Sequence, residues 1–358
     1  MIKCPLTNSF NTKVLYKQKG VPLIQNKVFP SLELAKSTII IDVTLAQSLD
    51  NGFVFSANFD DSIIDYDEHY QNEQSNSAFF QNHLEHVIEI LKDNKLLGKK
   101  VVEIGCGKAF FMNLLLEQGE DVIGFDPTYE GDSEKVIKDF FTNKYSNIGA
   151  ETIILRHTLE HISNPFEFIQ TVGKANNNSG FIYIEVPTFD WIVKNNACED
   201  IFHEHCNYFT LETLQQFFTE SVGGYFFNGQ YIYVIADLGK VKTELENRPI
   251  ESYSLGFEKR IQEYDNLITE GGNIAIWGAG AKGSTFLNLV DKDASKVKCV
   301  IDINSKKQNQ YLGGTGHLII SPLDIEKYDI DSIIVMNVNY ISEIKQFTDS
   351  LNIKLLTL

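Results

Sequence analysis

The segment Asp200-Ile201-Phe202-His203-Glu204-His205-Cys206-Asn207-Tyr208-Phe209 sets two imidazoles around one carboxylate among aromatic side chains. Placing such groups in apolar surroundings costs desolvation energy, so a use is expected for them. Three uses compete: a metal held by His203, His205 and Cys206, a polar surface loop, or acid-base chemistry. The metal reading lacks a fourth ligand nearby. Acid-base chemistry is favoured, because a neutral imidazole with a pKa of ~6.5 takes up a proton at neutral pH and a carboxylate beside it orients it. His205, Glu204 and His203 are then the catalytic candidates, with no metal.

Two glycine-rich turns offer ligand cradles. In Glu103-Ile104-Gly105-Cys106-Gly107-Lys108-Ala109 an apolar run leads into a helical pattern, and the glycines let a ligand approach the backbone closely. Asp126, 19 positions after Gly107 and followed by Pro127, is placed to accept hydrogen bonds from ribose hydroxyls. The leading Glu103 and the absent third glycine (Ala109) favour S-adenosylmethionine over a dinucleotide, the alternative being a plain tight turn. The second turn, Gly278-Ala279-Gly280-Ala281-Lys282-Gly283, carries the full dinucleotide fingerprint, with Asp302 19 residues beyond Gly283. It is read as a cradle for NAD, for a substrate phosphate, or as a helix packed on a strand.

Arg156-His157-Thr158-Leu159-Glu160-His161 contains the H-x-x-E-H pattern of some zinc peptidases, which requires a long helix. Here it directly follows a short buried run, at the sheet rim where ligands bind, so Arg156 and His157 are expected to wall the cofactor pocket. The polar, aromatic stretch Tyr66, His69, Tyr70, Gln71, Asn72, Gln74 and Ser75 is read either as a lid over a reactive sulfonium, with Tyr70 and Gln74 reaching the site, or as a linker.

Four regions must position these groups. Residues 1–60 hold short β-type runs at 13–16, 38–41 and 52–55, a small β-rich module. In 61–237 a helical pattern at 77–91 precedes alternating strand and helix: strands at 100–104, 121–125, 152–155 and 181–185, and a helix at 110–117. Such alternation predicts a parallel sheet with helices on both faces. Asn228-Gly229 between two β-type runs predicts a closing antiparallel hairpin. Residues 238–271 read as a helical connector. Alternation then restarts in 272–358, with strands at 273–277, 297–301, 332–336 and 353–356 and a helix at 282–290. The fold class is α/β: a Rossmann-like sheet ending in a hairpin, with a second, smaller Rossmann-like domain behind it.

At 358 residues, 43% hydrophobic and 12% aromatic, the chain can bury several cores. Its 31 basic against 48 acidic residues leave a net charge of -17, which argues against nucleic acid or an anionic membrane as partner. The five cysteines form no C-x-x-C pair, so a disulfide framework is not expected. No apolar run reaches membrane-spanning length, and the first residues lack a signal-peptide core. A cytoplasmic location is expected. Oligomeric state is not readable.

Together these motifs resemble the S-adenosylmethionine-dependent C-methyltransferases of nucleotide-linked deoxysugars. The carriers are Glu103 to Gly107, Leu159-Glu160-His161, the His203-Glu204-His205-x-x-Tyr208-Phe209 stretch, Gly278 to Gly283, and Asp302-Ile303-Asn304 with Lys307-Gln308. The resemblance spans nearly the whole chain and implies three parts: a zinc-binding N-terminal domain, a class I methyltransferase domain and a C-terminal α/β domain. It implies that a base, here His205 assisted by Glu204, removes the C3 proton of a nucleotide-linked 4-keto hexose, and that the enolate takes the methyl group. Glu103, Gly105, Cys106, Gly107, Asp126, Pro127, Arg156, His157 and Gln74 are the expected cofactor residues; Tyr208, Gly278, Gly280, Lys282 and Asn337 are those expected for the nucleotide-linked sugar. In surface-polysaccharide or deoxysugar assembly, an O- or N-methyltransferase is the alternative.

Two departures bear on this. The family's zinc domain uses two C-x-x-C pairs, whereas this chain keeps Cys4, with Thr7, Ser48 and Asn51 at the other places and Gly52 following. A metal-free, degenerate zinc-ribbon-like module is expected, since structural zinc requires four suitable ligands. Phe202 stands where the family carries a tyrosine that helps the chemistry, so either another group such as Tyr70 or His203 substitutes or the substrate differs.

Overall fold

The computed structural model describes residues 1–67 and 69–358. The N-terminal region runs β1 (Thr12–Pro22), β2 (Val28–Phe29), helix α1 (Leu32–Lys36), β3 (Ile40–Ser48) and β4 (Val54–Ser56). The central region follows as α2 (Ala78–Asp93), β5 (Val101–Ile104), α3 (Phe110–Glu117), β6 (Val122–Phe125), β7 (Val136–Ile137), β8 (Thr152–Arg156), α4 (Pro165–Ala175), β9 (Phe181–Pro187), α5 (Phe189–Asn195), β10 (Asn207–Tyr208), α6 (Leu211–Gln215), β11 (Val222–Phe226) and β12 (Tyr231–Asp237). After α7 (Phe257–Glu270) come β13 (Ile274–Trp277), α8 (Ala281–Val290), β14 (Val297–Ile301), β15 (Tyr311–Leu312), β16 (Ile319–Ile320), β17 (Ser332–Val335), α9 (Ile341–Thr348) and β18 (Lys354–Thr357).

The central sheet has the order β11-β12-β9-β8-β5-β6-β7. β12 alone runs against its neighbours β9 and β11, which makes this the class I methyltransferase arrangement, a parallel Rossmann-like sheet with a closing antiparallel hairpin. The hairpin turn forms where Asn228-Gly229 stand, both in the left-handed region, at φ 55° and 85°. The order reverses at β5, the switch point where α/β sheets hold ligands beyond the strand ends. The C-terminal sheet, β16-β14-β13-β17-β18, is all parallel and reverses at β13. Each sheet thus aims its glycine turn outward at its own switch point.

The N-terminal strands do not close a module by themselves. β4 pairs with β10, a strand of the central region, and β2 pairs with β15 of the C-terminal region. Phe53 and Phe55 join the core on one face of the central sheet, while Val21, Val43 and Leu45 join α8 and the C-terminal sheet in another. The N-terminal sheet therefore wedges between the two α/β regions. Two tight turns flank this sheet: Asn8 N–H donates to the Cys4 carbonyl and Gly52 N–H to that of Ser48, both at 2.9 Å.

Two strand runs begin later than the residue pattern suggests, at Ile40 and Val54, and of the 238–271 connector only Phe257–Glu270 is α-helical. The H-x-x-E-H stretch forms a single 3₁₀ turn, Leu159–His161, which excludes the long helix of a zinc peptidase. Among the described residues no helix is long and apolar enough to cross a membrane.

Candidate active site

One cavity of about 450 Å³ opens between the central and C-terminal sheets, and both glycine turns line it. On the central side, Gly105 and Gly107 have φ of 76° and 54°. A side chain at Gly105 would meet Thr158 Oγ1 at 2.1 Å, whereas the space beside Gly107 is open. Glu103 sits under this turn, 2% exposed, and its Oε2 has no hydrogen-bond partner among the described residues. Burial pushes its carboxyl up to about 7 against the pull of Arg156. A buried acceptor beneath an open glycine cradle fits the ammonium and hydroxyl groups of S-adenosylmethionine.

Behind the cradle lies a charged cluster centred on Glu185, which is fully buried. Arg156 grips it through Nε at 2.7 Å and Nη2 at 3.2 Å, and His83 of α2 through Nε2 at 2.8 Å. His157 Nε2 lies 3.1 Å away. Burial alone would raise the Glu185 pKa, yet Arg156 and His83 hold it well below the usual carboxylate range. For His157 burial opposes charge, but Glu160 and Glu185 raise it to about 9. His157 takes φ 47°, a strained backbone that points its ring at Tyr231, 4.6 Å away. Arg156 walls the pocket, but its charge is spent on Glu185.

His205 occupies the middle of the cavity wall. Its ring lies 4.2 Å from that of Phe202 and 4.9 Å from that of His161, and no hydrogen bond holds it among the described residues. Burial, then the neighbouring His161 and His157, push its pKa well below the usual imidazole value. Glu204 turns the other way. Its Oε2 accepts from the Gln25 backbone N–H at 2.6 Å, and Tyr70 faces it. Burial raises this carboxyl to about 7, with Gln25 and Tyr70 opposing. The expectation that Glu204 orients His205 is therefore corrected: His203 and Glu204 lie in a turn, and Glu204 meets Tyr70 and the N-terminal region instead.

Three other expected residues stand away from the cavity. His203 is fully buried against Phe59, 5.2 Å between rings, on the far side of the same loop. Asp126 folds back on its own turn, Oδ2 accepting from Gly107 N–H at 2.8 Å and Oδ1 from Thr128 N–H and Oγ1. Pro127, next to it, is exposed at the surface. Tyr208 lines the cavity, but its hydroxyl both accepts from Phe202 N–H and donates to the Phe202 carbonyl.

On the C-terminal side Gly278, Gly280, Lys282 and Asn337 line the cavity. Lys282 donates to Asp200 at 2.8 Å, and the Asn337 amide pairs reciprocally with that of Gln230. Lys307, 5% exposed, also reaches the cavity, donating to the Ala279 carbonyl at 3.1 Å. Burial lowers its pKa, against the pull of Asp302. The segment carrying Tyr70 and Gln74 straps across: Lys108 donates to Gln71 at 3.3 Å, and Gln74 Oε1 accepts from the hydroxyls of both Tyr231 and Tyr340 at 3.4 Å. Asn26, which lines the cavity, and Gln25, which holds Glu204, were not legible as site residues, because their partners Gln71 and Glu204 are distant in sequence. Cys106 lines the cavity too, its thiol raised by burial.

Comparison with known proteins agrees with this division. A family model described as a methyltransferase domain matches residues 76–222. Another, described as C2185-like, N-terminal, matches residues 271–355. The C-methyltransferase NovU of Streptomyces niveus is 24% identical over 320 residues, covering 77% of this chain and 76% of that protein. A ubiquinone biosynthesis O-methyltransferase of Haemophilus ducreyi is 27% identical over 111 residues, 26% of this chain and 47% of that one. Among solved structures, a SAM-dependent methyltransferase from Archaeoglobus fulgidus is similar at 19% identity and a TM-score of 0.35, covering 44% of this chain and 99% of that one.

Proposed function

We propose that this chain, an S-adenosylmethionine-dependent methyltransferase of the class I fold, methylates carbon beside the ketone of a nucleotide-linked 4-keto sugar. The observation that carries the reading is His205: an imidazole with no hydrogen-bond partner among the described residues, in one cavity with both glycine turns.

When bound, the cofactor supplies an electrophilic methyl group on a sulfonium. Glu103 and the Gly105–Gly107 turn would hold it, with Gln74 over the top. The sulfonium and ammonium charges favour this half of the cavity, where Glu103 and Glu160 line the wall. The opposite half suits an anion. The first turn of α8 follows Gly280, whose backbone N–H groups carry the positive end of the helix, and Lys307 stands beside it. A diphosphate there would leave the sugar between the two turns, at His205.

His205 accepts the proton on the carbon next to the carbonyl, and the electron pair left behind moves into an enolate. Because burial keeps the ring neutral before reaction, a proton acceptor is ready without a prior deprotonation step. Tyr70, whose hydroxyl meets Glu204 at the cavity edge, would donate toward a developing enolate oxygen by turning from that carboxyl. Phe202 presents only an apolar ring beside His205, so it excludes water without supplying a proton. The same feature favours a second reading. With no hydroxyl from position 202, a substrate bringing its own acidic hydroxyl or amine would be methylated on oxygen or nitrogen.

Mass spectrometry after incubation with S-adenosylmethionine and a panel of nucleotide-linked 4-keto sugars tests this. A gain of one methylene mass, placed on carbon by NMR, is expected. His205→Ala should abolish it while cofactor affinity stays near normal. Turnover unchanged in that variant would overturn the role of His205, and a methyl on oxygen would select the second reading.

A further inference from the structure

The catalytic pocket holds a group of side chains that deprotonation does not use. One ligand atom from each of Glu160, His161 and His205 lies within 4.8 Å of the others. Glu160 is 2% exposed, and its Oε2 has no hydrogen-bond partner among the described residues, although it lines the cavity. Its other oxygen is 3.5 Å from His157 Nδ1, which fixes the carboxylate from behind. His161 Nδ1 donates to the Glu204 carbonyl at 2.7 Å, leaving Nε2 to face the cavity as an electron-pair donor. That is the arrangement by which a backbone carbonyl orients a metal-binding histidine and sets its tautomer. His205 completes the group.

From this geometry we propose that Glu160, His161 and His205 form a site for a divalent transition-metal ion of the zinc type, which holds the enzyme inactive by occupying His205. Two imidazoles and one carboxylate suit zinc, cobalt or nickel, not magnesium or calcium, which prefer all-oxygen shells. Three protein ligands with the remaining position left to water is the open form of such sites. Zinc bonds of about 2.0–2.1 Å set tetrahedral ligand atoms about 3.3 Å apart, so separations within 4.8 Å must close by at most about 1.5 Å. His205 can supply that movement by turning, since among the described residues no hydrogen bond holds its ring, which packs against Phe202, His161 and Tyr208. A metal taken up by its lone pair leaves His205 unable to accept a proton.

The ligand set differs from the one the local motif suggests. Cys206 Sγ points at the Glu160 carbonyl at 3.3 Å, and His203 faces Phe59, so neither joins His205. The partners come instead from the 3₁₀ turn after β8, which the sheet places opposite the His205 loop.

The off-state rests on His205 being the base as proposed above; ion binding itself does not. The full-length protein, stripped with chelator and dialysed, is titrated with Co²⁺ and followed by its visible d–d absorption. One bound equivalent is expected, with nitrogen and oxygen ligation and no thiolate charge-transfer band, and with displacement by Zn²⁺. His161→Ala and Glu160→Gln should each weaken binding on the order of 100-fold. Circular dichroism and thermal unfolding serve as checks on their folding. Cys4→Ser should leave binding unchanged, which separates this site from any at the N-terminal turns. Absence of Co²⁺ binding, a thiolate band, or binding indifferent to both variants in folded protein would overturn the site. Where a substrate is turned over, Zn²⁺ should suppress methylation and EDTA restore it; full turnover with the ion bound would overturn the off-state.

Discussion

The two glycine turns solve the same backbone problem and then diverge in charge. In each, the acidic residue at the end of the next strand reaches back to pin the loop: Asp126 accepts from Gly107 N–H and Asp302 from Ala279 N–H, both at 2.8 Å. Below the first turn lie carboxylates, Glu103 and Glu185, both nearly inaccessible to water. Beside the second lies the buried amine of Lys307. Their third positions differ as well. Gly283 is obligatory, since a Cβ there would meet the Gly278 carbonyl at 2.0 Å, whereas the corresponding position of the first turn, five residues after Gly105, is Phe110. On the function proposed above, one device would serve a cationic ligand in one sheet and an anionic ligand in the other, with side-chain charge making the distinction.

The largest test of that contrast is Glu185→Gln. It leaves Arg156 without its bidentate partner under the first turn, and loss of one member of a buried pair costs about 3–5 kcal/mol. Denaturant unfolding should show the loss; a cost near zero would mean that the charged cluster is not what supports this half of the cavity. Glu103→Gln comes next, with S-adenosylmethionine affinity falling roughly 10- to 100-fold and nucleotide affinity unchanged by calorimetry.

The pH dependence sharpens the same point. Burial raises the Glu103 carboxyl to about 7, so it is neutral well below that pH and charged well above it. S-adenosylmethionine binding should therefore tighten as pH rises through 7 and level off above. Glu103→Gln should flatten this profile, and a flat profile in the wild type would remove Glu103 from cofactor binding. Lys307→Met makes the reciprocal change: diphosphate-nucleotide affinity should drop on the order of 10-fold with cofactor affinity intact. Equal losses for both ligands in either variant would erase the contrast. The smallest expected effect is shared. Asp126→Asn and Asp302→Asn should each cost about 1 kcal/mol in thermal stability, because both lose one charge-assisted bond to a loop N–H.

Much of the fold was legible in the chain because local patterns carry it. The helix α3 begins and ends where its apolar spacing says, at Phe110 and Glu117, and Asn228-Gly229 marks the hairpin. The two-residue strands β7, β10 and β16 were not legible, since two residues carry no period. The candidate site divides in the same way. The glycine turns are local devices and can be recognised from residue type alone. The partners of His205 are not local: the turn at His203 and Glu204 sends those side chains to Phe59, Gln25 and Tyr70, and the 3₁₀ turn after β8 supplies His161 and Glu160 in their place.

By itself, then, the sequence determined the class of fold, the two cradles and the candidate base, because backbone conformation, periodicity and imidazole chemistry are properties of neighbouring residues. Tertiary structure decided which charges meet. It turned Asp126 back on its own loop, spent Arg156 on Glu185, gave Glu204 to Gln25 and Tyr70, and brought both cradles into one cavity. The reason is physical. Electrostatic and hydrogen-bond partners depend on distances through space, and in this chain strands β2 and β10, each only two residues long, help set those distances by pairing segments of different regions, β2 with β15 and β10 with β4.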